Sequence, residues 1–211
     1  MEIYLIRHPE AYKNVSDEHG GTGTPLTSIG LKHCDIIYEK FLSQYKDKQK
    51  ISFWGNSVEQ VKETVSKLNR DKSFCDFDDK LTGIYLGGLD GLSREKATKE
   101  NPEAAKLLEL WRKGELTLDK LIIPDGESAI GFYNRIFEKW QSILSHENSV
   151  KVIVLTRSVY IMLLNILKLG EDFNFKDYKV YTIPNSSVTI INFRNGAMNI
   201  KYENSTDYLE Q

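Results

Sequence analysis

Two apolar segments of this 211-residue chain each run straight into a cation. Residues 1–7 (MEIYLIR) end at Arg7-His8, and residues 150–156 (VKVIVLT) end at Arg157. A neutral imidazole is a nucleophile, and a guanidinium matches oxyanions with its fork of N–H groups. Gathered at one edge of a sheet, such groups could hold or attack an anion. A histidine taken alone is more often a solvated surface residue. Pro9-Glu10, Asn14 and a Gly/Thr/Pro loop at 15–25 follow His8 directly, and they shift the reading toward a built site.

The elements that would position these groups can be read from periodicity. Residues 150–156 form a near-continuous apolar run, as expected of a strand covered on both faces, and Pro9 stops the first strand. A helix follows Leu26-Thr27-Ser28, with Ile29, Cys34, Ile36, Ile37 and Phe41 at helical spacing. Residues 51–54 read as a strand, and 58–68 as a helix with Val58, Val61, Val65 and Leu68 on one face. A short strand at 74–77 precedes a loop at 81–92 that carries Gly83, Gly87, Gly88 and Gly91. Residues 93–112 read as helical, with a break at Asn101-Pro102. A Pro124-Asp125-Gly126 turn leads into a helix over 128–144, with Ile130, Tyr133, Ile136, Phe137 and Trp140 on its buried face. An apolar helix spans 160–169. Residues 188–193 and 198–202, joined through Arg194-Asn195-Gly196, read as a hairpin.

Strands alternating with helices predict an α/β fold: a three-layer α/β/α sandwich with a mainly parallel sheet and an antiparallel edge. No repeat, linker or low-complexity tract divides the chain, so residues 1–211 are expected to form a single domain. In such sheets ligands bind beyond the carboxyl ends of the strands, where Arg7-His8 and Arg157 fall.

Composition narrows the partners. With 28 basic and 30 acidic residues the net charge is −2, which gives no sign of a nucleic-acid or membrane partner. The sequence has no 18-residue apolar run and no signal-peptide pattern, so a cytoplasmic location is expected. Cys34 and Cys75 read as reduced packing residues. No set of His, Cys, Asp and Glu has ligand spacing, so neither a metal nor another cofactor is expected.

The order of motifs resembles the histidine phosphatase superfamily, whose phosphoglycerate-mutase-like members open on a strand followed by R-H-G-E-x-x-x-N. Here Arg7-His8-Pro9-Glu10-Ala11-Tyr12-Lys13-Asn14 keeps Arg, His, Glu and Asn at that spacing. Thr24-Pro25-Leu26-Thr27-x-x-Gly30 is similar to D-x-P-L-T-x-x-G, and Pro124-Asp125-Gly126-Glu127-Ser128 is similar to P-G-G-E-S, with Arg135 downstream. Pro184-Asn185-Ser186-Ser187-Val188 before the hairpin resembles the family's ending. The resemblance implies that His8 attacks phosphorus and forms a phosphohistidine, that cationic side chains cradle the phosphoryl oxygens, and that a carboxylic acid protonates the leaving group.

Three positions depart from that pattern. Gln60 stands at the family's second arginine, Gly83 at its acid glutamate and Arg157 at its second histidine, while Pro9 replaces a glycine. The resemblance thus implies His8, Arg7 and Arg157 as the catalytic set, with Asn14, Gln60 and Glu10 binding the phosphate or ligand. Arg7, His8 and Arg157 are expected to converge, with Gln60 in the same cleft. Asp79 or Asp90 could supply a carboxyl, and Lys62 could reach inward from its helix. Two functions follow. One is a phosphomonoester hydrolase with weak or altered activity on a phosphorylated small molecule. The other is an inactive pseudo-phosphatase that binds a phosphorylated ligand, inorganic phosphate or a protein partner.

Overall fold

The structure is a computed structural model and describes residues 1–45, 50–194 and 197–210. Its strands are β1 (Glu2–Arg7), β2 (Ile51–Gly55), β3 (Phe74–Phe77), β4 (Val150–Leu155), β5 (Val188–Arg194) and β6 (Ala197–Ser205). Its helices are α1 (Tyr12–Val15), α2 (Ser28–Ile37), α3 (Glu59–Leu68), α4 (Arg94–Glu100), α5 (Pro102–Arg112), α6 (Ala129–Ser145) and α7 (Arg157–Leu169). The six strands form one sheet in the order β3-β2-β4-β1-β5-β6. The first four in that order are parallel, and β5 and β6 each run antiparallel to their neighbours.

Strand periodicity explains why β1 and β4 are apolar throughout. Ile3, Leu5, Ile153 and Leu155 join the core on the face carrying α6 and α7. Tyr4, Ile6, Val152 and Val154 join the other face, under α2 and α3. Side chains alternate faces along a strand, so a strand between two helical layers must be apolar at both parities. Helices cover both faces of the sheet, as the strand–helix alternation requires.

The register positions the site. Glu2 pairs with Val150 and Arg7 with Leu155, so the chain leaves both strands at one level. The His8 N–H then donates to the Leu155 carbonyl at 3.1 Å.

Some expectations shift. The helix read from 160 begins at Arg157, because Thr156 takes the extended N-cap conformation and the turn starts at once. Ile130 is 55% exposed, and Ala129, Phe132, Ile136, Trp140 and Ile143 form the stripe that packs inward. Tyr133 and Phe137 only flank that stripe, with Tyr133 stacked on Phe173 at 4.2 Å. Ile29 and Ile36 also face out, leaving Gly30, Cys34 and Ile37 to bury α2. The hairpin strands are present as β5 and β6, while Asn195-Gly196 lies outside the described residues.

The entry to α2 is locked to the loop after β1. Thr27 caps the helix by accepting from the Gly30 N–H, and its own N–H donates to the Glu10 carbonyl at 2.9 Å. A Cβ at Gly30 would overlap that same Glu10 carbonyl oxygen. Gly30→Ala is therefore expected to destabilise the fold by ~1–3 kcal/mol through overpacking against backbone. Thermal melting should show a drop of about 3–10 °C, and an unchanged melting temperature would contradict this contact.

Candidate active site

A cavity of ≈ 530 Å³ opens at the carboxyl ends of β1 and β4, a volume that suits a small molecule. Arg7, His8, Asn14, Gln60 and Arg157 all line it. Glu10 does not. Its carboxylate accepts from the Thr27 hydroxyl at 2.7 Å, so it braces the start of α2 instead.

His8 is held firmly at the end of β1. It is 3% exposed, and its Nδ1 lies 2.8 Å from the Pro9 carbonyl. A carbonyl oxygen only accepts, so Nδ1 carries the proton and Nε2 keeps a lone pair. Burial, reinforced by the charges of Arg7 and Lys13, pushes the imidazole pKa down to about 3, against a smaller opposing effect of the Pro9 bond. The ring is neutral at neutral pH. Asn185 steadies the same turn, its Nδ2 donating to the His8 carbonyl at 3.1 Å and to Asn14 Oδ1 at 3.1 Å.

The cavity concentrates positive charge. Burial and the nearby Arg157 lower the Arg7 pKa to about 10. Arg7 Nη1 donates to the Ile183 carbonyl, while its buried Nε has no partner among the described residues. Burial and the charge of Arg112 likewise lower Arg157, whose Nη2 donates to the Arg112 carbonyl at 3.4 Å. Thr156 Oγ1 and Trp111 Nε1, on two residues of the same lining, are also buried without partners. Gln60 is 2% exposed and anchored by its Oε1, which accepts from the Thr24 N–H at 3.2 Å.

Gly83 lines the cavity beside Thr156 and Ser158, on a loop clamped by Arg135. That guanidinium spends all its donors at once, on the Glu127 carboxylate at 2.6 and 2.8 Å and on the carbonyls of Lys80, Thr82 and Gly83. Of the carboxyls weighed as substitutes, Asp79 bonds Ser57 outside the cavity, whereas Asp90 lines it. Lys62 points to solvent from α3 and does not line it.

A family model for the histidine phosphatase superfamily (branch 1) matches residues 3–206. The chain belongs to this superfamily. Solved structures agree in fold. YhfR of Bacillus stearothermophilus superposes with a TM-score of 0.82 at 21% identity, covering 99% of this chain and 98% of that one. A putative alpha-ribazole-5'-P phosphatase from Escherichia coli gives 0.76 at 17% identity, covering 97% and 96%. A mycobacterial glucosyl-3-phosphoglycerate phosphatase, solved with VO3, gives 0.75 at 18% identity, covering 97% and 99%. No curated protein matches the chain in sequence.

Within this histidine phosphatase fold, the lining also includes Lys13, Trp111, Arg112 and Asn185. Sequence reasoning missed them as site residues. Lys13 and Asn185 lay inside motifs that had been recognised, so position alone could have flagged them. Trp111 and Arg112 end α5, where the helical pattern reads as ordinary core and solvated charge.

Folding keeps two histidines neutral: His8, and His19, whose pKa burial and then Arg112 lower to about 4. An unfolded histidine titrates near ~6.5, so stability should hold above that pH and decline as pH falls toward those folded values. Nitrogen NMR should show the His8 ring still neutral at pH 5; a midpoint near ~6.5 would contradict its burial.

Proposed function

We propose that this protein is a phosphomonoester hydrolase that works through a phosphohistidine at His8 and turns over alkyl phosphates poorly. One observation carries the reading. A neutral His8 with a free Nε2 shares a cavity with Arg7 and Arg157, two guanidinia that disfavour each other's charge. A phosphoryl group relieves that repulsion and meets the nucleophile in the same place. Gln60 and Asn14 complete the binding wall, the Gln60 oxygen being taken and its NH₂ left to donate. The substrate is a phosphorylated small molecule. That class suits the cavity volume and is the kind named for the alpha-ribazole and glucosyl-3-phosphoglycerate phosphatases. The free Cys34 and Cys75 suit a reducing, cytoplasmic setting.

Gly83 favours the second reading, a phosphate-binding pseudo-phosphatase, because it offers no proton to a leaving alkoxide. The two part on leaving group. Hydrolysis of 4-nitrophenyl phosphate is expected to exceed that of glycerol 3-phosphate by ~10²-fold or more, with a phosphoprotein trapped by acid quench. His8→Ala should abolish both signals. Phosphate binding without any His8-dependent turnover would establish the pseudo-phosphatase instead.

The missing acid can also be restored. Gly83 has an ordinary negative φ, and a Cβ there would meet only Ser158 Oγ at 3.1 Å and Thr156 Oγ1 at 3.4 Å. Gly83→Glu is expected to fold and to raise the glycerol 3-phosphate rate by ~10²-fold. A folded variant with no gain would show that proton supply at that wall is not what limits the reaction.

A further inference from the structure

We propose that Lys13 is the proton donor to the leaving oxygen, in place of the side chain that Gly83 lacks. The inference rests on the hydrolase reading above and assigns a residue to it.

The argument begins with which cavity groups hold a transferable proton. The guanidinia of Arg7 and Arg157 serve as cations for the phosphoryl oxygens and so keep their protons, and His8 must keep its Nε2 lone pair for attack. Three carboxylates line the cavity, and each lies beside a donor or a cation. Asp17 pairs with Arg94 at 3.2 Å, Glu18 accepts from the Ser16 hydroxyl at 2.9 Å, and Asp90 accepts from the Gly21 N–H at 3.4 Å while facing Lys13. Tyr85 lines the rim, 53% exposed. Lys13 remains.

Its surroundings are built around it. Lys13 sits on the single turn of α1, five residues beyond His8, and both line the cavity. Its Nζ donates to the Gly20 carbonyl, which leaves two N–H bonds for other acceptors. Asp90 Oδ1 is buried and has no hydrogen-bond partner among the described residues, and any side chain at Gly20 would overlap it. The glycines at 20 and 21 thus let a carboxylate and the ammonium share one corner of the site. Burial lowers the Lys13 pKa more than the charges of Asp90 and Glu18 raise it, which makes the ammonium a readier donor than a solvated lysine.

The chemistry balances. His8 Nε2 attacks phosphorus, the P–N bond forms, and the bond from phosphorus to the leaving oxygen breaks as that oxygen takes a proton from Lys13 Nζ. The alcohol departs and leaves Lys13 neutral. Water then attacks the phosphohistidine and gives one proton back to Lys13. The P–N bond breaks, and phosphate leaves. An ammonium is a weaker acid than a carboxylic acid, so the preference for good leaving groups persists.

Three variants and two substrates test this. With 4-nitrophenyl phosphate and glycerol 3-phosphate, Lys13→Gln is expected to widen the aryl-to-alkyl rate ratio at least tenfold. Lys13→Arg keeps the charge but cannot give up a proton, so it should widen the ratio equally. A wild-type ratio in Lys13→Arg would reduce Lys13 to a fixed charge and overturn the proposal; so would a widening caused by Tyr85→Phe. The wild type supplies an independent measurement that needs no folded variant. Its alkyl rate should fall on an alkaline limb that the aryl rate lacks, and parallel profiles would overturn the assignment. His8-dependent aryl hydrolysis with an unmoved ratio would sink Lys13 alone, whereas no His8-dependent hydrolysis of either ester would sink both readings.

Discussion

The parallel pairing of β1 with β4 is the constraint on which the site depends. Because Arg7 and Leu155 are register partners, the residues just past each strand emerge side by side. His8 on one connection and Arg157 on the other are therefore brought to the same edge by backbone geometry before any side-chain contact is made. A slip of one residue would draw Glu2 or Arg7 into the buried stretch between them, so the charged ends of β1 help to hold that alignment. The site is inherited from the sheet.

That arrangement costs something, and the cost indicates the ligand. Arg7, Lys13, Arg112 and Arg157 lie in or around one cavity, each with its protonated form disfavoured by burial. Glu109, Asp90 and Glu18 offset that charge only in part, and several buried donors on this lining have no partner among the described residues. An oxyanion satisfies both deficits together. Whatever binds here stabilises the fold, by the ordinary linkage between ligand and native state.

Much of this was legible in the sequence, for identifiable reasons. Strands such as 150–156 announce themselves because a two-sided environment leaves no room for polar residues. The meeting of Arg7, His8, Gln60 and Arg157 in one cavity follows from strand ends plus motif order. Other features left no local trace. Ile130 is as apolar as Phe132, and only three-dimensional packing decides which of the two α6 buries. Glu10 looks catalytic beside His8, yet its carboxylate bonds the hydroxyl of Thr27, a partner seventeen residues away. Trp111 and Arg112 reach the cavity because α5 folds back over it, a tertiary fact that no short-range pattern encodes.

The Arg135 clamp bears on how a ligand gets in. Its donors tie α6 and the Glu127 turn to three carbonyls of the loop around Gly83, those of Lys80, Thr82 and Gly83. Swinging that loop aside would break every one of those bonds together, so this wall is a fixed jamb. The Gly20-Gly21 stretch of the lining is built differently. Gly20 and Gly21 adopt positive φ, and their segment is held by Lys13 on the Gly20 carbonyl, by the Gly21 N–H on Asp90 and by backbone bonds at His19 and Thr22. Both segments are tied down, one by a single side chain and the other by backbone, so the shape of the cavity is set before a ligand arrives.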